Sequence, residues 1–208
     1  MSERSEKAAI LAVDDTPENL DVVKGILAND YTVKVAINGP MALKIVEKAP
    51  PDLVLLDVMM PEMDGYEVCR RLKADPVTRD IPVIFLTAMD QTSDEAMGFQ
   101  AGAADYIAKP INPPILEARV RTHLALKESL DALNEAYAII KGQKDRMEAE
   151  LNVGRDIQLS MLPTFEPDRA EFSVAATMKA AREVGGDFYD YFPIGPQEYA
   201  FCVADVSD

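Results

Sequence analysis

The 208-residue chain has only two cysteines and one histidine. Cys69 and Cys202 lie far apart and His123 stands alone, which leaves no cysteine/histidine cluster for zinc or haem. Both thiols are expected to stay reduced, as small core residues. No apolar run approaches the roughly 18 residues of a membrane span, and the opening MSERSEK lacks the apolar core of a signal peptide. A cytoplasmic protein without membrane association is the expectation. Basic residues are also scarce: 21 Lys and Arg against 36 Asp and Glu give a formal charge of −15, with the deficit spread along the chain. Neither part carries a basic footprint, so nucleic acid is excluded as an electrostatic partner. Internal repeats and low-complexity tracts are absent too.

What is present is a core-forming composition, 48% hydrophobic and 27% charged, so the chain is expected to fold. At a prior of about 150 residues per domain, the length asks for one domain and something more. Residues 8 to 122 alternate short apolar runs with amphipathic stretches, the rhythm of β/α units around a parallel sheet. The strand candidates are Ala8–Val13, Tyr31–Ala36, Leu53–Asp57, Val83–Leu86 and Asp105–Ala108, and three of them are nearly all apolar, as strands covered on both faces should be. The first helix has Asp15 or Thr16 as its cap, Pro17 in its first turn, and Leu20, Val23 and Leu27 on one stripe. Asp75-Pro76 ends the third helix.

From Ile115 a long helical pattern runs without proline until Pro163. Leu126, Leu130, Leu133, Tyr137, Ile140, Lys144, Met147 and Leu151 recur at alternating spacings of four and three, a heptad seam with one polar intruder. As helix, residues 126 to 151 span about 39 Å. A parallel homodimeric coiled coil is expected, with Lys144 weakening it and restricting register. Gly154, at a cost of roughly 1 kcal/mol, and Gln158 predict a soft helix end. Beyond Pro163 the strand candidates are Glu171–Lys179, Asp187–Phe192 and Tyr199–Asp205. Roughly 45 residues do not easily build an independent core, so this part reads as the start of a domain cut short.

In open α/β sheets the working residues gather at the carboxyl ends of strands. There the sequence places Asp14 and Asp15 after the first strand, Asp57 at the end of the third, Thr87 after the fourth and Lys109 after the fifth. Three carboxylates brought together raise one another's pKa values, so a cation is expected among them. Mg2+ suits an all-oxygen set and keeps positions for water and phosphate. So placed, it could neutralise a phosphoryl group attacked by Asp57, the best-placed nucleophile, while Lys109 holds another phosphoryl oxygen. Singly, each residue has an ordinary reading as a cap, a strand-end hydroxyl or a solvated charge. Five such residues at the ends of four strands leave that reading little room.

These residues and the run LLDVMMPEMDG, Leu55 to Gly65, resemble the receiver domain of bacterial response regulators over about residues 8 to 125. Asp14-Asp15, Asp57, Pro61, Asp64-Gly65, Thr87-Ala88, Tyr106 and Lys109-Pro110 carry the resemblance, in order and at family-like spacings. It implies a flavodoxin-like, doubly wound five-stranded parallel sheet. It also implies phosphotransfer to Asp57 from the phosphohistidine of a sensor histidine kinase or phosphotransfer protein. Mg2+ would be held directly by Asp15, Asp57 and the Met59 carbonyl, and by Asp14 through water. Thr87 and Tyr106 would be the switch pair, and Lys109-Pro110 a cis bond. A haloacid-dehalogenase-type phosphatase wants a second Asp where this chain has Met59. Met59 and Met89, two residues beyond Asp57 and Thr87, offer no group to orient water, so a long-lived phospho-Asp57 is expected.

In the last part, GRDIQLSMLP (Gly154 to Pro163), AAREVGGDFYDYF (Ala180 to Phe192) and VADVSD (Val203 to Asp208) resemble the opening of PPM-type serine/threonine phosphatases of the SpoIIE class. That resemblance implies that Asp187 and Asp205 help hold two Mn2+ or Mg2+ ions, and that the substrate is a phosphorylated signalling protein such as an anti-anti-sigma factor. The family's further metal-binding aspartates are missing here, so these 208 residues are expected to lack phosphatase activity. The resulting organisation is a receiver (1–123), a helical coiled-coil linker (124–162) and an incomplete α+β phosphatase fragment (163–208). The alternative is a receiver with a dimerising helix that acts by protein–protein interaction alone.

Overall fold

Five apolar runs become one parallel sheet: β1 (Ala9–Val13), β2 (Thr32–Ala36), β3 (Leu53–Asp57), β4 (Val83–Thr87) and β5 (Asp105–Ala108), in the order β2-β1-β3-β4-β5. The computed structural model describes residues 7–87, 100–163, 172–178, 185–195 and 198–204. Two units divide the chain, Met1–Leu133 and Asn134–Asp208. The nearly all-apolar runs β1, β3 and β4 are the three central strands, and the more polar β2 and β5 are the edges. Ala8 and Tyr31 stay outside the strands, and Thr87 joins β4, where it pairs with Ala108.

Alternation along the strands sorts their side chains to two faces. Leu11, Val13, Val54, Leu56 and Phe85 pack with Ala42 and Val46 of α2 (Gly39–Lys48) and with Val68, Cys69 and Leu72 of α3 (Gly65–Ala74). On the other face Ile10, Ala12, Leu53, Leu55, Ile84 and Leu86 meet Leu20, Val23 and Leu27 of α1 (Pro17–Leu27). Leu116, Val120 and Leu124 of α4 (Pro113–Ser160) complete that layer. Burial of each such side chain contributes about 1.5–3 kcal/mol, so these three residues anchor the start of α4.

The caps follow the sequence signals. Asn38 and Asp64 accept from the Met41 and Glu67 amides at 2.8 and 2.7 Å. Thr16 is the cap of α1 but makes no side-chain cap bond; its own amide donates to Asp14 Oδ1 at 2.9 Å. The helix expected between β4 and β5 falls on residues 88–99, which together with Met89 lie outside the described residues.

α4 is continuous for 48 residues and runs through Gly154 and Gln158 to Ser160. A single glycine's propensity cost is small against the backbone ladder on either side. The apolar residues of the expected seam are exposed in the single chain, from 37% at Leu151 to 68% at Tyr137. Among the described residues, no helix is long and apolar enough to cross a membrane.

In the second unit β6 (Phe188–Pro193) and β7 (Tyr199–Ala204) form an antiparallel hairpin. Of the strand expected over Glu171–Lys179, the described residues 172–178 hold an isolated bridge at Ser173 and no continuous strand. Strand-like composition does not supply a ladder partner. The segment instead meets the hairpin through side chains, Phe172 edge-on to Tyr199 and Phe201, and the Tyr189 hydroxyl donating to the Ala176 carbonyl at 3.3 Å. Cys202 is exposed rather than core, because this part of β7 has no covering layer among the described residues; Cys69 is buried as expected. At the end of α4 the Gln158 side chain both donates to the Gly185 carbonyl and accepts from its amide, at 2.5 and 3.2 Å.

Candidate functional site

Strand order reverses between β1 and β3, and the crevice at a reversal lies beyond the carboxyl ends of the strands. Asp14 and Asp15 directly follow β1, and Asp57 is the last residue of β3. Oxygens of the three carboxylates lie within 4.8 Å of one another, with Asp14 and Asp57 buried and Asp15 exposed. Lys109, the residue after β5, reaches in from the far side. Its Nζ stands 2.8 Å from Asp14 Oδ2 and 2.9 Å from Asp57 Oδ1. Its amide donates to the Thr87 carbonyl, and the Lys109-Pro110 bond is cis.

Burial pushes the Asp57 carboxyl above its usual range, and the charges of Asp14 and Asp15 add to that, while Lys109 opposes it by hydrogen bond and charge. Burial would lower the Lys109 ammonium, but its bonds to Asp14 and Asp57 outweigh this and hold it above its ordinary value. One ammonium is therefore shared by two buried carboxylates, and a third carboxylate stands at the rim. That all-oxygen donor set, short of positive charge, suits a small hard divalent cation.

The loop after β3 is shaped by backbone contacts. A Cβ at Gly65 would lie 2.2 Å from the Asp57 carbonyl oxygen, and the Gly65 amide donates to the Val58 carbonyl at 2.9 Å. Glu62 takes a φ of 65°, a left-handed conformation that turns the chain back toward α3. Met59, in this loop, is 60% exposed. Thr87 closes β4 beside the Asp57 strand and is buried. Tyr106 pairs with Phe85 in the sheet, and the Arg119 guanidinium lies 5.9 Å from its ring centroid.

Thus Asp14, Asp15, Asp57 and Lys109 converge as the sequence predicts. Asp187 belongs to the second unit, just before β6, and Asp205 lies outside the described residues. Two features were not read from the sequence. Asn19 donates from Nδ2 to both oxygens of Asp14 at 3.0 Å. Asp105 binds Arg119, and its Oδ2 lies 3.0 Å from His123 Nε2. The signal for Asn19 was its place in the first turn of α1, from which a side chain can reach back past the cap. The second cluster joins residues too distant in sequence for spacing to suggest it.

A five-stranded parallel sheet with an acidic pocket at its strand ends is the flavodoxin-like fold of a receiver. The model of the response regulator receiver domain family matches residues 10–121, and the chain belongs to that family. It is 45% identical over 163 residues to a protein of Vibrio cholerae named as a probable cyclic di-GMP phosphodiesterase, covering 78% of this chain and 37% of that protein. It is 46% identical over 132 residues to the response regulator PleD of Caulobacter vibrioides, covering 63% and 29%. The chain thus spans about a third of the length of these curated relatives. Among solved structures, the signal receiver domain of a signal transduction histidine kinase from Syntrophus aciditrophicus is similar at 39% identity and a TM-score of 0.54, covering 57% of this chain and 90% of that one. A CheY-like receiver domain protein from Methanospirillum hungatei matches at 29% identity and 0.55, covering 59% and 97%. Receiver domains bind Mg2+ through an acidic pocket, here the Asp14, Asp15 and Asp57 cluster, and interact with sensor histidine kinases or phosphotransfer proteins.

Proposed function

We propose that Asp57 accepts a phosphoryl group from the phosphohistidine of a sensor histidine kinase or phosphotransfer protein, and that this chain relays the modification to an output. The observation that carries this reading is the single Lys109 ammonium shared between Asp57 and Asp14 at the end of the sheet. A carboxylate oxygen of Asp57 attacks phosphorus, the phosphorus–nitrogen bond breaks, and its electron pair returns to the imidazole. Asp15, Asp57 and the Met59 carbonyl, with Asp14 beside them, would hold Mg2+. When bound, it supplies positive charge against the transferring phosphoryl oxygens. Lys109 balances a further oxygen, and Thr87 and Tyr106 are the switch residues that respond. Intact-mass measurement with a small-molecule acyl phosphate tests this. One Mg2+-dependent phosphoryl addition, absent in Asp57→Asn, is expected, and addition that persists in that variant would overturn it.

For the rest of the chain, the reading is a receiver over 1–123, a dimeric coiled coil over 124–162 and the beginning of a PPM-type serine/threonine phosphatase over 163–208. The exposed seam of α4 supports the dimer. Support for the phosphatase comes from the hairpin register: Phe188 pairs with Ala204, and these are the sequence neighbours of Asp187 and Asp205. Those two acids would contribute to a Mn2+ or Mg2+ pair acting on a phosphorylated signalling protein such as an anti-anti-sigma factor. Phosphoserine hydrolysis by these 208 residues is expected not to exceed that of an Asp187→Ala control. The likeness to a protein named as a probable cyclic di-GMP phosphodiesterase counts against tying these residues to a phosphatase output, and so supports a second reading. In it, receiver and helix form a non-enzymatic interaction module, and what the module engages determines the activity.

A further inference from the structure

Asp14 is 1% exposed, yet its carboxylate is a crowded acceptor. Lys109 Nζ donates at 2.8 Å, the Thr16 amide at 2.9 Å, and Asn19 Nδ2 to both oxygens at 3.0 Å. These donors are not equivalent. The Thr16 amide is backbone and is retained in any side-chain variant. Lys109 is divided between Asp14 and Asp57, so its hold on Asp14 depends on what happens at Asp57. Asn19 spans both Asp14 oxygens from the first turn of α1, a segment fixed by Pro17 and by the buried Leu20 and Val23.

The chemistry of the amide matters as much as its position. A buried carboxylate 4.8 Å or less from two others is repelled by them and pressed to swing away. Hydrogen bonds to both of its oxygens oppose that movement. A lysine or arginine at position 19 would also do so, but would add positive charge beside a pocket that must attract a cation. A neutral donor fixes the acid and leaves the negative charge of the pocket intact.

We propose that Asn19 is a positioning residue of the divalent-cation pocket, holding the Asp14 carboxylate oriented so that the pocket's affinity for Mg2+ depends on the Asn19 amide. This rests on the reading of Asp14, Asp15 and Asp57 as the Mg2+ pocket. Loss of a hydrogen-bonding partner behind a metal-binding group typically weakens binding 10- to 100-fold. Two other donors remain on Asp14, so the low end, about ten-fold, is expected.

The experiment is calorimetric titration of the full chain with Mg2+ at pH 8, paired with thermal unfolding without Mg2+. Asn19→Ala, and Asn19→Leu with the space filled, should each bind Mg2+ about ten-fold more weakly. Asn19→His, whose neutral ring can place Nδ1–H where the amide Nδ2–H stands, should recover most of the loss. Asn19→Lys should bind Mg2+ more weakly than wild type although its ammonium can still reach Asp14. A merely structural role predicts a lower unfolding temperature with unchanged Mg2+ affinity, and that result overturns the proposal. Asp57→Asn separates the two levels. If it abolishes Mg2+ binding while the Asn19 variants bind normally, the pocket stands and the role of Asn19 falls. If Asp57→Asn also binds normally, the pocket assignment falls with it.

Discussion

Lys109→Met removes the cation at the centre of the pocket while keeping a long side chain. Two carboxylates then lose their partner together, Asp14 and Asp57, with side-chain exposures of only 2% and 7%. Breaking a buried ion pair by removing one partner costs about 3–5 kcal/mol. Lys109 itself keeps 19% exposure, which screens part of the interaction, and Asn19 and the Thr16 amide still serve Asp14, so a loss of about 2–4 kcal/mol is expected. The loss has a pH signature. The folded-state pKa of Asp57 already lies above 3.8, and Lys109 is what opposes the rise. Stability from such a group is fully present below the unfolded value and is lost as pH rises through the folded one. Removing Lys109 raises the folded value further, so the penalty should be largest near neutral pH and shrink toward pH 4. Mg2+ should compensate, since a divalent ion supplies the missing charge. At ten times its dissociation constant, a ligand stabilises by about 1.4 kcal/mol. Added Mg2+ at one concentration should therefore stabilise the variant more than the wild type. Urea unfolding at two pH values, with and without Mg2+, measures all of this. A penalty under about 1 kcal/mol at neutral pH, or equal stabilisation of both proteins by Mg2+, would refute the reasoning.

Gly65→Ala should destabilise the receiver by about 2–4 kcal/mol, because the new Cβ meets the Asp57 carbonyl oxygen at 2.2 Å and neither atom belongs to a side chain that can turn away; urea unfolding measures it. Ile140→Lys, at an exposed position of α4, should leave monomer stability within about 0.5 kcal/mol. In a symmetric dimer it removes two apolar side chains at about 1.5–3 kcal/mol each, so sedimentation should show self-association weakened at least about 100-fold. At Asp105, burial pushes the carboxyl up, but hydrogen bonds from Arg119 and His123 outweigh it and hold the pKa below 3.8. Its stabilising contribution is present above 3.8 and lost as pH falls through the folded value. Asp105→Asn should therefore flatten the acid limb of the stability–pH curve below pH 4, and an unchanged limb would count against the pairing.

The sheet was legible because its central strands are covered on both faces and therefore read as apolar runs. The pocket was legible because chemistry at strand ends can be read from the last residue of each run. Errors arose where composition was taken for pairing. The run from Glu171 to Lys179 has strand-like residues, but an extended segment becomes a strand only with a ladder partner, and Phe172 meets the hairpin through its ring instead. Cys202 was expected inside because its type is commonly buried, yet that part of β7 is exposed. Arg119 and His123 act through a partner that only the fold brings near, whereas Asn19 reaches Asp14 locally from the first turn of α1.

Arg119 and His123 share a partner in β5. Its first residue, Asp105, ties down Arg119 and His123 in the opening turns of α4. Its second, Tyr106, lies under the Arg119 guanidinium, and the residue after its last is Lys109. A four-residue strand thus has the pocket at one end and the anchor of the long helix at the other. Charge that draws Lys109 away from Asp14 acts on backbone continuous with the strand that holds α4 in place. β5 is also an edge strand, paired on one side only, with the least buried pattern of the strands on its side of the sheet. An edge has fewer neighbours to resist displacement than β1, β3 or β4. The acids therefore follow central strands paired on both sides, while the lysine that answers them follows an edge strand.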